Sequence, residues 1–283
     1  MTTILVTGAT DGIGKETALA LASAGHDVIV HGRSLAKARA ARADIETASA
    51  RTLPDAIAAD LSSLEEVRGL AADLCRRGAI DVLINNAGVY STPRTLTPDG
   101  RELTMAVNHD AAFLLTHLLL PALEESAGGR VVNVSSIAHG SGNIDIEDID
   151  MARSFDGYQA YASSKLANVL FTVEFARRLQ QRQSKVLVNA LHPGVVSTKL
   201  LQAGFNMSGP DSTKVGAATS VHLATAEIST SGGYFVRCRE TRAAKVVADL
   251  ELCRAFYQAS CARVGIAPLP AGEDRPALKL WKE

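Results

Sequence analysis

The chain has 283 residues, 47% of them hydrophobic, enough for one large α/β domain with a substantial core. Lys and Arg number 29 against 30 Asp and Glu, and this net charge of −1 argues against nucleic acid or an anionic membrane as a partner. Cys75, Cys238, Cys253 and Cys261 form neither Cys-x-x-Cys nor a His-containing metal spacing, so they read as buried or free thiols rather than disulfides or metal ligands.

The first strand, Thr3–Thr7, begins almost at the N-terminus and leaves no room for a signal peptide, so a cytoplasmic location is expected. The longest apolar run, Ala111–Leu123, contains His117 and Pro121 and is too short to span a membrane. Further strands are predicted at Asp27–His31, Thr52–Ala58, Val82–Asn85, Arg130–Val134, Val186–Leu191 and Tyr234–Val236. Helices are predicted from Ile13 onward, over Leu35–Ala48, Leu64–Arg77, Leu103–Leu120 and Tyr161–Gln181. This alternation predicts an α/β fold with a doubly wound parallel sheet of about seven strands and helices on both faces. The whole chain, 1–283, is expected to be one Rossmann-type domain. A substrate flap is expected near 199–212 and a C-terminal extension from about residue 265.

Between the first strand and first helix lies Gly8-Ala9-Thr10-Asp11-Gly12-Ile13-Gly14. Free N–H groups at a helix N-terminus favour an anion, and glycine lets backbone approach a pyrophosphate closely. Gly8, Thr10, Asp11, Gly12, Ile13 and Gly14 are therefore candidates for binding a dinucleotide. The second strand leads into His31-Gly32-Arg33-Ser34, with no acid at the position that would take a ribose 2′-hydroxyl in an NAD site. Arg33 stands where a guanidinium could take a 2′-phosphate, so NADP(H) is expected rather than NAD(H). Asp60, beside Leu61 after the third strand, could accept from the adenine amino group, cap the next helix, or both. Asn86, Ala87 and Gly88 close the fourth strand with small and amide residues suited to lie against a cofactor.

Tyr161 and Lys165 are four residues apart and share a helix face. A phenol is a poor base at neutral pH, and a neighbouring ammonium is expected to favour its phenolate. Tyr161 could then protonate a carbonyl oxygen or deprotonate an alcohol. Ser135 and Ser136 end the fifth strand on opposite sides, and Ser136 is preferred as the donor to the substrate oxygen. Asn108 could hold a water that relays protons from Lys165, or could bond to a helix carbonyl. Pro193, Gly194, Val196 and Thr198 follow the sixth strand, where backbone and hydroxyl could hold the nicotinamide carboxamide. His192 reads as structural. The histidines form no metal spacing, and no Gly-x-Ser-x-Gly elbow is present.

Together these segments resemble the short-chain dehydrogenase/reductase superfamily. The matching residues are Thr7–Gly14, Asp60, Asn85–Gly88, Asn108, Ser136, Tyr161 with Lys165, and Pro193–Thr198, in the family's order. Val107-Asn108-His109, Val134-Ser135-Ser136-Ile137-Ala138-His139 and Tyr161-Ala162-Ser163-Ser164-Lys165-Leu166-Ala167-Asn168 resemble its retinol-dehydrogenase-like branch. The resemblance implies a tetrad of Asn108, Ser136, Tyr161 and Lys165, with Tyr161 and Lys165 also touching the cofactor. It further implies pro-S hydride transfer from NADPH and a homo-oligomer, dimer or tetramer, formed through the long helices. This sequence departs from the animal members in lacking an apolar N-terminal segment, and Asp11 stands where NADP-preferring members sometimes carry a base. The expected partner is a small-molecule carbonyl or alcohol, and Leu200, Leu201, Phe205 and Met207 in the flap suggest a lipophilic one. The alternative is a non-enzymatic NADP(H) sensor on the same fold.

Overall fold

The computed structural model describes residues 2–78, 80–205 and 208–270. In chain order its elements are β1 (Thr3–Val6), α1 (Gly12–Ser23), β2 (Asp27–Gly32), α2 (Leu35–Ser49), β3 (Ile57–Ala58) and α3 (Leu64–Arg77). Next come β4 (Val82–Asn85), α4 (Leu103–Met105), a π-helical turn (Ala106–Asp110), α5 (Ala111–Glu125), β5 (Arg130–Val134) and α6 (Gly157–Gln181). The chain continues through β6 (Leu187–His192), α7 (Lys199–Phe205), α8 (Thr213–Thr225), β7 (Tyr234–Val236), β8 (Arg239–Thr241) and α9 (Leu250–Val264).

The strands form one sheet in the order β3-β2-β1-β4-β5-β6-β7-β8. All neighbouring pairs are parallel except β7–β8. Strand parity feeds two cores. Ile4, Val6, Val28, Val30, Val82 and Ile84 pack with α1, α2 and α8 on one face. Leu5, Ile29, Leu83 and Val131 pack with α3, α5, α6 and α9 on the other. The order reverses between β1 and β4, which opens a crevice at the carboxyl ends of the strands.

Several expectations are corrected. The third strand, predicted over Thr52–Ala58, is only Ile57–Ala58, because Pro54 keeps the preceding residues off the ladder. Among the described residues the sheet has eight strands, in line with the expected fold of about seven, the extra one being the short antiparallel β8. The helix predicted over Leu103–Leu120 runs on through Pro121 to Glu125 and holds a π turn at its start. At 23 residues, the run Leu103–Glu125 is long and apolar enough by length and composition to cross a membrane, against the sequence expectation. Its most apolar stretch is 78% buried, however, which is the burial of a core helix. The helix predicted from Tyr161 starts a turn earlier, because Asp156 caps it by accepting the Gln159 N–H at 2.8 Å. Part of the expected flap is the helix α7. Among the flap residues named from sequence, the Phe205 side chain and Met207 lie outside the described structure, as does the chain beyond residue 270.

Candidate active site

The crevice is a cleft of about 840 Å³, within the usual range for ligand sites. Gly8, Thr10, Asp11, Gly12, Ile13, Gly14, Arg33, Asp60, Leu61, Asn86, Ala87, Gly88, Pro193, Gly194, Val196 and Thr198 all line it. So do Ser136, Tyr161 and Lys165, at its deep end. Asn108 does not; it lies behind the wall at Gly88 and Val89.

The glycine turn is built for close approach. Gly8 has φ +64°, and a Cβ there would sit 2.9 Å from the Ala87 Cα. A Cβ on Gly14 would come within 2.3 Å of the Gly8 carbonyl oxygen and 2.4 Å of the Asn86 side-chain nitrogen. At Gly12, φ +54°, a Cβ would project toward Thr198 on the opposite lip. The Gly8 N–H is not free to meet a ligand: it donates to Nδ1 of His31 at 3.2 Å. His31 Nε2 then carries the proton and donates to the Ala59 carbonyl at 3.2 Å. Burial lowers its pKa to about 4, so this ring stays neutral while it ties the turn to β2 and the β3 end. Asp11 caps α1, accepting the Gly12 N–H, and is ion-paired with Lys199 at the start of α7. The bond to Lys199, followed by that to Gly12, keeps its carboxyl below the usual carboxylate range. Asp60 does not cap α3, as one sequence reading allowed. It accepts the Ser62 N–H at 2.9 Å, and Ser63 caps the helix. Arg33 is exposed on the cleft rim. Glycines, a helix N-terminus and a rim guanidinium are the donor set that a dinucleotide phosphate requires.

At the deep end, Ser135 and Ser136 part as strand alternation requires. The Ser135 hydroxyl donates to the Lys165 carbonyl at 2.7 Å inside the core. The Ser136 hydroxyl faces the cleft and shares a hydrogen bond with that of Tyr161. Tyr161 is 8% exposed and stacks obliquely on Tyr90, ring centroids 5.7 Å apart. Lys165 Nζ lies 5.6 Å from the Tyr161 ring centroid and donates to the Val134 carbonyl at 3.1 Å. Burial lowers its pKa to about 8. Burial raises that of Tyr161 to about 12, outweighing its bond to Ser136. Burial is the largest influence on Tyr161 and opposes the phenolate that the ammonium was expected to favour.

Asn108 sits in the π turn, a feature that often marks functional sites. Its side chain accepts the Val89 N–H at 2.7 Å and donates to the Val89 carbonyl and to Ser164 Oγ. A Cβ on Gly88 would lie 3.4 Å from both the Asn108 side-chain oxygen and Lys165 Nζ, so the two groups flank one point. Its backbone carbonyl accepts from Asn168 at 3.0 Å. His192, read from the sequence as structural, accepts the Ile137 N–H on Nδ1 at 3.1 Å and also lines the cleft.

Sequence reasoning missed His31, Tyr90, His139, Ser164 and Lys199 at this site. Tyr161 packs with Tyr90, Ala138, Ala162 and Leu200, of which Ala138 and Leu200 line the cleft. Ile137 and Tyr158, both exposed, extend the apolar lining.

The family model described as short chain dehydrogenase matches residues 2–208. The chain belongs to the short chain dehydrogenase family. It is 40% identical to retinol dehydrogenase 13 of Homo sapiens over 292 residues, covering 97% of this chain and 87% of that protein. Among solved structures, one from Mycobacterium paratuberculosis superposes with a TM-score of 0.81 at 31% identity, covering 95% of both chains. A short chain dehydrogenase from Escherichia coli CFT073, solved with NADPH, gives a TM-score of 0.65 at 29% identity, covering 79% of this chain and 90% of that one. The protein is thus a short chain oxidoreductase of the retinol-dehydrogenase-like kind, acting between alcohol and carbonyl.

Proposed function

We propose that this short chain dehydrogenase is NADP(H)-dependent and works on a lipophilic carbonyl/alcohol pair, with Ser136, Tyr161 and Lys165 at the reacting oxygen. The observation that carries the reading is the convergence of those three side chains with the glycine turn in one cleft. The bound nicotinamide would supply or take the hydride at the substrate carbon. In the reductive direction the Ser136 hydroxyl orients the carbonyl oxygen, and Tyr161 transfers its phenolic proton to that oxygen. Lys165 then faces the new phenolate and stabilises it. The apolar lining of Ile137, Ala138, Tyr158 and Leu200 supports a substrate with a hydrocarbon body, in keeping with the retinol dehydrogenase name of the relatives.

The test is NADPH oxidation with all-trans-retinal, decanal, benzaldehyde and glyceraldehyde. Turnover is expected with the lipophilic members, and Tyr161→Phe should abolish it while NADPH still binds. Turnover confined to glyceraldehyde would overturn the substrate assignment. Wild-type rates in Tyr161→Phe would overturn the chemistry, and a nucleotide-binding chain with no turnover would favour the sensor alternative.

The cofactor preference rests on Arg33 at the rim and is supported by the NADPH complex of the Escherichia coli relative. Arg33→Ala should weaken NADPH binding about tenfold or more, the scale of one charge-assisted bidentate contact, and leave NADH unchanged. Equal losses for both cofactors in a fluorescence titration would contradict the assignment.

A further inference from the structure

Ser136 is held within its own turn and from behind by Tyr234 and His139, neither of which lines the cleft. Its side chain accepts the Ala138 N–H at 3.2 Å and opens a 3-10 turn over Ile137–Ser141. Its carbonyl accepts the Tyr234 hydroxyl at 3.3 Å and the Nδ1–H of His139 at 2.7 Å. The partners settle the His139 tautomer. Ala244 N–H lies 3.0 Å from Nε2 and can only donate, so Nε2 is the acceptor and Nδ1 carries the proton. The ring is 6% exposed and packs on Tyr234, centroids 4.6 Å apart. One imidazole therefore bridges the serine turn after β5 and the segment after β8, 105 residues later.

We propose that His139 is a positioning residue for Ser136, holding the serine turn at the angle that sends its hydroxyl to Tyr161 and to the substrate oxygen. The backbone N–H of His139 also donates to the Ser136 carbonyl, at 3.2 Å, so this residue holds the turn through both its main chain and its ring. The Ser136 hydroxyl has to meet both Tyr161 and the substrate, and small rotations of the turn misdirect it. This rests on the role given to Ser136 above, and the experiment separates the two.

His139→Phe keeps the aromatic packing on Tyr234 and removes both hydrogen bonds. His139→Asn restores a side-chain N–H near the position of Nδ1, within reach of the Ser136 carbonyl. Ala244→Pro removes the 244 N–H without touching the ring, at a backbone φ of −55° that proline adopts. Each is assayed with NADPH and the panel carbonyl of highest turnover, beside Ser136→Ala and the double variant His139→Phe/Ser136→Ala. His139→Phe should lower kcat roughly tenfold or more, the loss of one well-placed hydrogen bond, with NADPH affinity unchanged. His139→Asn should recover most of that loss. The double variant should be no slower than Ser136→Ala alone, the non-additivity of residues acting through one group. If His139→Phe does not fold, a fall in kcat in Ala244→Pro at unchanged NADPH affinity carries the same conclusion. Wild-type kcat in His139→Phe, or in Ala244→Pro where His139→Phe does not fold, or fully additive losses in the double variant, would overturn the proposal. Wild-type turnover in Ser136→Ala would instead sink the role of the serine, and this inference with it.

Discussion

Lys165 and Tyr161 are buried side by side, and burial acts on them in opposite senses. Removing water disfavours whichever form is charged, so it lowers the lysine to about 8 and raises the tyrosine to about 12. Both groups are thereby pushed toward neutrality, and the ammonium is the one that titrates within reach of ordinary assays. Below pH 8 Lys165 is charged and can stabilise the phenolate left after proton transfer; above it that support is withdrawn. Reductive kcat should therefore fall as pH rises through about 8. Lys165→Arg keeps its charge throughout that range and should lose this alkaline limb, whatever its absolute rate. A flat wild-type profile from pH 7 to 10 would contradict the assignment. Tyr161, Lys165 and Ser136 were legible from residue type and spacing because their chemistry is local: a helix face and a strand end. His31 and His139 were not. Each is defined by what lies across the fold, Ala59 in one case and Ala244 in the other, and no spacing in the chain announces such a partner.

At the scale of elements, the position of the active tyrosine depends on how α6 starts. Asp156 satisfies the Gln159 N–H, and the helix then carries Tyr161 in its second turn. Removing this cap with Asp156→Ala should destabilise the fold by about 1 kcal/mol, read as a lower urea midpoint at unchanged slope. Stability equal to wild type would show that the helix start is held by tertiary packing alone. The β-α alternation was legible because apolar runs and helical periods change places along the chain. Its failures have local causes. Pro54 cut short a strand that composition favoured. Pro121 failed to stop a helix held by packing on both sides, since Leu119, Leu120, Ala122 and Leu123 are all buried. The β7–β8 hairpin turns on Arg237 and Cys238, both with positive φ, where glycine or asparagine is the usual signal. Arg239-Glu240-Thr241 shows no apolar alternation, so nothing marked it as a strand.

Across the whole molecule, mild acid should reduce stability. His31, His109 and His117 are buried, and burial lowers each to about 4 from an ordinary 6.5. Between those values the unfolded chain takes up protons that the folded chain refuses, so stability falls as pH drops through that window. Each group withdraws up to about 1.4 kcal/mol per pH unit there. Melting temperature should decline steadily from pH 6.5 to 4, and replacing His117 with Gln should reduce that slope. A melting temperature independent of pH over this interval would contradict the assignment. The sheet itself ends in two different ways. At one margin stands a stub of two residues, Ile57–Ala58; at the other, an exposed strip bearing Arg239 and Glu240. A foreign strand seeking to extend the ladder finds too few amides on the first and a charged, solvated rail on the second. Fibril-like growth by edge addition is therefore blocked at both margins, and copies of this protein that associate would do so through helices or loops.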